Sequence, residues 1–279
     1  MGFKTIVLTT YSFANADQVQ GIANSSSRLQ AEETEFYNLA EYLYSRFRGS
    51  RKTFVLKNWE GDWIALGTQQ DTNTDISNAA VADLVAWLSA RQRGVSRARN
   101  EAGNSPGVEI FNATEVNLVL DYTQRRLKRL INTVVPQVNA DMVTYSSYDS
   151  TAIGSDSQAV QQTLTLALET IKQLAPDPLK LGARRILISE YGLFENQFGD
   201  DATWRSEAVL RTANNAGLYG AFLWNLFDNS CLESNGQPAP VDTALGNPRR
   251  PTNGECRGLW VIRPDGSTSA VLDVLKQYW

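Results

Sequence analysis

Hydrophobic runs of strand length alternate with segments of helical periodicity along the chain. The strand-like runs are rich in Val, Ile and Leu, and they predict strands at Lys4–Phe13, Lys52–Trp59, Val108–Leu120, Asp141–Tyr148, Arg184–Gly192 and Tyr219–Phe227. Apolar residues recur every three or four positions between these runs. This spacing predicts helices at Arg28–Phe47, Asp75–Gly94, Thr123–Val138, Asp156–Leu174, Ala202–Gly217 and Thr268–Trp279. Thr74 or Asp75 is the expected N-cap of the second helix.

The six strand–helix units predict an α/β fold. Strands that are apolar throughout are expected to be buried on both faces, as in a parallel sheet covered by helices. An open doubly wound sheet and a (β/α) barrel both meet this requirement. Polar and aromatic residues gather at the carboxyl ends of the predicted strands, where barrel proteins place their functional groups. The pattern therefore favours a TIM-like (β/α) barrel in one domain, residues 1–279.

Composition removes several kinds of chemistry. The 279 residues include no histidine, which excludes Ser-His-Asp and Cys-His mechanisms and nearly all catalytic zinc sites. The chain has no P-loop or GxGxxG segment, so the sequence contains no motif that indicates nucleotide binding. We expect no cofactor and no metal, and carboxylates are the remaining candidates for acid–base work.

Charge and hydropathy argue against nucleic-acid and membrane partners. The formal net charge is −4, and no run of 18 apolar residues is present. The Arg-rich run Ser89–Ala102 could form an anion site, but it is interpreted as the solvated end of a helix because aromatic residues do not interleave it. The first residues lack the features of a signal peptide and predict a strand instead.

The two cysteines lie in a loop-rich stretch at about 228–262. Cys231 and Cys256 could form a disulfide or remain free thiols, and the disulfide is favoured. A disulfide would indicate an oxidising compartment and hints at an extracellular origin, although the location itself stays unknown.

Two glutamates stand at equivalent strand ends beside aromatic residues. Glu60 lies between Trp59 and Trp63, and Glu190 ends an aliphatic run. Either acid alone could be a structural cap or an ion-pair partner. Because the carboxyl ends of parallel strands meet at one edge of a sheet, the pair indicates two facing carboxylates, which glycoside hydrolysis requires. Aromatic rings would provide flat faces for sugar rings and raise the pKa of the acid.

Three segments resemble the clan A glycoside hydrolases, which are retaining (β/α)₈ enzymes. "ISEYG" (Ile188–Gly192) is similar to their strand-seven segment, which carries the nucleophile. "FLWNLFDN" (Phe222–Asn229) resembles their strand-eight segment, and "LKNWEGDW" (Leu56–Trp63) resembles their strand-four segment with the acid/base. The separations between these strands also agree. The resemblance implies an incomplete barrel whose six units correspond to units three to eight.

The resemblance implies a retaining β-glycosidase that works through two carboxylates. Glu190 would be the nucleophile and Glu60 the acid/base. Asn58 would contact the sugar 2-hydroxyl, Tyr145 would hold the nucleophile, and Trp224 would form the sugar platform. The other expected substrate-binding residues are Trp59, Trp63 and Asn117.

The chain departs from the family pattern in two places. Asn and the acid/base Glu are adjacent in the family, whereas Trp59 separates Asn58 from Glu60 here, so Asp62 is a rival acid. The missing second unit normally brings an Arg near the nucleophile, and no residue obviously replaces it. Two alternatives therefore stay open. One is a carbohydrate-binding protein of the same fold without catalysis, and the other is a scaffold protein whose aromatic residues belong to the core.

Six units also leave the edges of two parallel strands to be covered. These edges are predicted at Lys4–Phe13 and Tyr219–Phe227. A homodimer in which two chains cover each other is expected in preference to a closed six-stranded barrel, which would have a narrow interior. The expected partners are thus a carbohydrate substrate and a second copy of the chain.

Overall fold

The computed structural model describes residues 2–70, 73–103, 107–239 and 251–278. Its strands are β1 (Thr5–Thr9), β2 (Lys52–Lys57), β3 (Val108–Val116), β4 (Met142–Ser146), β5 (Ile186–Tyr191) and β6 (Gly220–Leu223). Its α-helices are α1 (Ser26–Arg46), α2 (Gly61–Leu66), α3 (Asn78–Ala102), α4 (Val119–Arg125), α5 (Leu130–Thr133), α6 (Tyr148–Thr151), α7 (Ser157–Leu174), α8 (Glu195–Phe198), α9 (Asp201–Asn215) and α10 (Val271–Lys276).

The six strands form one parallel sheet in the order β1-β2-β3-β4-β5-β6. Thr5 pairs with Thr53 between β1 and β2, Lys52 pairs with Val108 between β2 and β3, and Val116 pairs with Tyr145 between β3 and β4. The predicted α/β class and parallel sheet are confirmed. The TIM-like identity of the sheet and the assignment of its units to positions three to eight stay proposals.

The chain divides into two compact units. Unit 1 comprises residues 1–146 and 167–187, and unit 2 comprises residues 147–166 and 188–279. The single domain that the sequence predicts over residues 1–279 stays a prediction.

The core of unit 1 forms where α1 and α3 pack against the sheet. Phe36 and Leu43 of α1 meet Leu56 of β2, Ile110 of β3 and Val95 of α3 in one buried cluster. The periodic apolar face of α1 thus covers the apolar strands, as the sequence pattern predicts.

The first turn of α3 begins three residues later than the sequence predicts. Ser77 is the N-cap, and its hydroxyl accepts a hydrogen bond from the backbone N–H of Ala80 at 3.1 Å. The carboxylate of Asp75 instead accepts the backbone N–H of Lys128 at 2.8 Å. The predicted N-cap at Thr74 or Asp75 is therefore wrong, because a contact with a distant loop occupies the Asp75 side chain.

The predicted helix Thr123–Val138 is also wrong in its continuity. Helix α4 ends before Arg126, which has a left-handed φ of 61°, and α5 starts at Leu130. The backbone N–H of Leu130 donates to the carboxylate of Asp62 at 2.8 Å. Because this N–H donates to a side chain from another part of unit 1, it makes no hydrogen bond within a helix, and the predicted continuous helix is interrupted at Leu130.

The Arg-rich run Ser89–Ala102 is helical, but it is not solvated throughout. Arg93 and Arg97 are exposed, as expected, whereas Arg91 is 1% exposed. The Arg91 guanidinium stacks 3.7 Å from the centroid of the Trp87 ring and pairs with Glu32 at 2.7 Å. The interpretation of a solvated face is wrong for Arg91, because its aromatic partners lie one turn earlier and on another helix.

The C-terminal part of unit 2 is cross-linked. Cys231 and Cys256 form a disulfide across a sequence separation of 25, which confirms the favoured reading of the cysteines. Nearby, the buried carboxylate of Asp228 accepts hydrogen bonds from the backbone N–H groups of Gly258 and Leu259. Among the helices that the structure describes, none combines the length and apolar character needed to cross a membrane.

Candidate active site

The strand end of β2 turns sharply against β3. After Lys57 the chain runs through Asn58 to Glu60 and enters α2 at Gly61. A Cβ atom on Gly61 would lie 2.8 Å from the carbonyl oxygen of Glu115 and 2.2 Å from the Leu130 side chain. Glycine at this position therefore allows the main chain beside Glu60 to lie directly on the neighbouring strand.

The Glu60 carboxylate is partly buried in unit 1 and hydrogen-bonded from a strand two positions away. The Ser146 hydroxyl at the end of β4 donates to Glu60 Oε1 at 2.5 Å. Burial raises the pKa of Glu60, and the charge of Glu115 acts in the same direction. Hydrogen bonds from the Ser146 and Trp63 side chains and the charge of Lys57 lower that pKa in part. The net effect favours the protonated carboxyl group.

Beneath Glu60 lies a buried ion pair that the sequence analysis missed. Lys57 Nζ lies 2.6 Å from Glu115 Oε1, and the two side chains are 4% and 0% exposed. The second carboxylate oxygen of Glu115 accepts the backbone N–H of Glu60 at 2.7 Å. A signal was present in the sequence, since Lys57 and Glu115 are charged residues inside runs that otherwise predict buried strands.

Both the oxygen and the nitrogen of the Asn58 side-chain amide are hydrogen-bonded to the main chain. Its side-chain oxygen accepts the backbone N–H of Glu115 at 2.9 Å, and its nitrogen donates to the carbonyl of Trp59 at 3.0 Å. The residue is 1% exposed. These contacts fix the turn, and the predicted contact of Asn58 with a sugar 2-hydroxyl stays a prediction.

Asp62, the rival acid, is a fully buried structural carboxylate. It accepts backbone N–H groups of Asn117, Leu118 and Leu130 at 3.0, 3.2 and 2.8 Å. Complete burial raises the pKa of Asp62, against the lowering effect of these donors. Asn117 returns the contact by accepting the Asp62 N–H at 3.0 Å, and it is itself buried. The geometry supports a loop-fastening role for both residues, and sugar binding by Asn117 stays a prediction.

The aromatic residues near Glu60 differ in exposure. Trp59 and Trp63 are partly exposed, as a sugar-binding role requires, and the Trp63 indole N–H donates to Glu60. Tyr145 is completely buried on β4, one residue before Ser146. Because successive side chains of a strand point to opposite faces, Tyr145 points away from the face on which Ser146 meets Glu60. Its predicted contact with the nucleophile stays a prediction.

Glu190 lies in unit 2, on β5, one residue before this strand ends at Tyr191. Its side chain is partly exposed, and its main-chain carbonyl accepts the backbone N–H and the hydroxyl of Ser147 at 2.8 and 3.0 Å. A Cβ atom on Gly192 would lie 2.6 Å from the carbonyl oxygen of Trp224. Glycine at position 192, two residues after Glu190, therefore allows the chain to pass close to the backbone at Trp224.

Trp224, the expected sugar platform, directly follows β6 in unit 2. Its backbone N–H donates to the carbonyl of Tyr191 at 2.8 Å, and the residue is 36% exposed. The peptide bond between Trp224 and Asn225 is cis. An indole that is open to solvent offers the flat apolar face that stacking on a sugar requires.

Comparison with protein-family models and with curated proteins gives no match for this chain. The resemblance to clan A glycoside hydrolases therefore depends on the short segments around Glu60, Glu190 and Trp224.

Proposed function

We propose that the protein is a glycoside hydrolase that cleaves β-glycosidic bonds with retention. The environment of Glu60 carries the proposal. This carboxyl group stands at a strand end beside two partly exposed indoles, and burial raises its pKa. A general acid must hold its proton near the working pH, and burial beside aromatic rings shifts the pKa of a carboxyl group in that direction.

In this mechanism Glu60 protonates the leaving oxygen and later activates water. Glu190 attacks the anomeric carbon and forms the covalent glycosyl intermediate that retention requires. Its position near the end of β5 and its partial exposure support this role. Trp224 provides an aromatic face for the sugar at the cleaved bond.

Hydrolysis of a panel of aryl β-glycosides tests the activity. Glu190→Gln should lower kcat by several orders of magnitude while the melting temperature stays close to that of wild type. Glu207→Gln on α9, which removes an exposed carboxylate of unit 2, is the matched control and should be unaffected. Activity of Glu190→Gln within about tenfold of wild type would remove Glu190 from the nucleophile role.

A 2-deoxy-2-fluoro glycoside tests the same assignment covalently. Mass spectrometry should find the label on the peptide that contains Glu190. Glu60→Ala should retain activity on substrates with good leaving groups and recover with azide, giving a β-configured glycosyl azide.

A sugar that raises the melting temperature of wild type, when no aryl glycoside is cleaved, would contradict the hydrolase proposal. That result would favour a carbohydrate-binding protein of the same fold. Tryptophan fluorescence that responds to no sugar would instead favour a scaffold protein.

A further inference from the structure

Glu115 connects two groups that surround the candidate acid. One carboxylate oxygen binds the ammonium group of Lys57 at 2.6 Å, and the other accepts the backbone N–H of Glu60 at 2.7 Å. The backbone N–H of Glu115 in turn donates to Asn58. The side chain of Glu115 on β3 therefore binds both Lys57, at the end of β2, and the main chain of Glu60, just before α2.

We propose that Glu115 is a positioning residue that, together with Lys57, orients the carboxyl group of Glu60 for proton transfer. This inference rests on the proposed function, in which Glu60 is the acid/base. Glu115 is 0% exposed, so it acts on Glu60 through the main chain and through its charge, without touching a substrate.

The burial of the Lys57–Glu115 pair argues for a role beyond stability. Taking both charges out of water costs several kcal/mol per ion. Well-packed apolar residues in place of a buried ion pair often give a protein that is equally stable or more stable. The pair lies directly beneath the candidate acid. Here its charges act on Glu60 through a poorly solvated medium, in which electrostatic effects are strong.

The charged groups that act on Glu60 come from two neighbouring strands. Lys57 belongs to β2 and Glu115 to β3. The negative charge of Glu115 raises the pKa of Glu60, and the positive charge of Lys57 lowers it. Neutralising each residue in turn should therefore move the titration of Glu60 in opposite directions.

Carbon-13 NMR of carboxyl-labelled glutamate, with the Glu60 signal assigned by Glu60→Gln, tests this in the full chain. Glu115→Gln should lower the pKa of Glu60, and Lys57→Met should raise it. If Glu60 is the acid/base, both variants should also lose about tenfold or more in kcat with KM within about twofold of wild type. Glu109→Gln, on the same strand but in contact with Thr53, is the control and should change neither quantity.

Removing one member of a buried pair can unfold a protein. The double variant Lys57→Met/Glu115→Gln removes both charges together and should show the same loss of kcat. Unchanged Glu60 titration in the folded single variants, or unchanged kcat in the folded double variant, would overturn the inference and leave a purely structural ion pair. Should wild type cleave no glycoside, the proposed function fails, while the Glu60 titration still decides whether Glu115 and Lys57 control its carboxyl group.

Discussion

The hydroxyl of Ser146 donates a 2.5 Å hydrogen bond to the carboxylate of Glu60, although 86 residues separate the two in sequence. The bond joins the carboxyl end of β4 to the turn that follows β2. It stabilises the charged form of the carboxylate and so lowers the pKa of Glu60, against the effect of burial.

We expect Ser146→Ala to raise the pKa of Glu60, because the variant removes a donor that favours the ionised form. An acid that must be protonated would then act up to a higher pH, so the alkaline limb of the kcat/KM profile should move to higher pH. Thr144→Val on the same strand is the control, since the Thr144 hydroxyl is buried without a hydrogen-bond partner in the described structure. An alkaline limb that stays in place or moves to lower pH would contradict the prediction.

Asp62→Ala should destabilise the protein by at least about 3 kcal/mol, because three buried backbone N–H groups lose a charged acceptor. Asp75→Ala, which removes the exposed acceptor of one N–H group, should cost about 1 kcal/mol or less. Chemical denaturation followed by circular dichroism measures both. If Asp62→Ala instead folds normally and its activity is rescued by azide, Asp62 rather than Glu60 is the acid.

Two arginines of α3 offer a matched test of burial. Arg91→Leu leaves Glu32 buried without its cationic partner and should cost about 3–5 kcal/mol in the free energy of unfolding. Arg93→Leu removes an ion pair with Glu33 that is exposed to solvent, and the cost should be below about 1 kcal/mol. Equal effects in urea titrations would show that Arg91 contributes no more than a surface residue.

The disulfide should stabilise unit 2. It closes a loop across a separation of 25 residues, so the double variant Cys231→Ser/Cys256→Ser should lose roughly 3 kcal/mol on the chain-entropy model. Wild type with reducing agent should approach the variant in chemical denaturation, whereas the variant should not respond to the reductant. A wild type that is insensitive to complete reduction would refute this expectation.

The strand order begins at β1 and ends at β6, and several large apolar side chains around β6 are exposed. Edge strands and exposed apolar residues favour association, so we expect two copies to form a dimer. Light scattering at micromolar concentration should give about twice the chain mass of 30.9 kDa. A single species near 30.9 kDa that keeps its activity on dilution would rule out the dimer.

Each of the six strands lies inside a run that the sequence predicts, as β2 (Lys52–Lys57) lies inside Lys52–Trp59. The sequence alone also indicates that Glu60 and Glu190 stand at or just beyond strand ends. These features are local, since short apolar runs and helical spacing depend on residues a few positions apart. The sequence therefore determined the α/β class, the parallel sheet and the place of both candidate carboxylates along the chain.

The tertiary structure alone decided which charged groups surround Glu60. Glu115, Ser146 and the donors to Asp62 are all more than 50 residues away from their partners in sequence. The same holds for the pairing of Arg91 with Glu32, because these two residues are 59 positions apart and lie on different helices. Desolvation and Coulomb interactions depend on distance in space, so the pKa of Glu60 and the structural role of Asp62 emerge only when the strands are brought together.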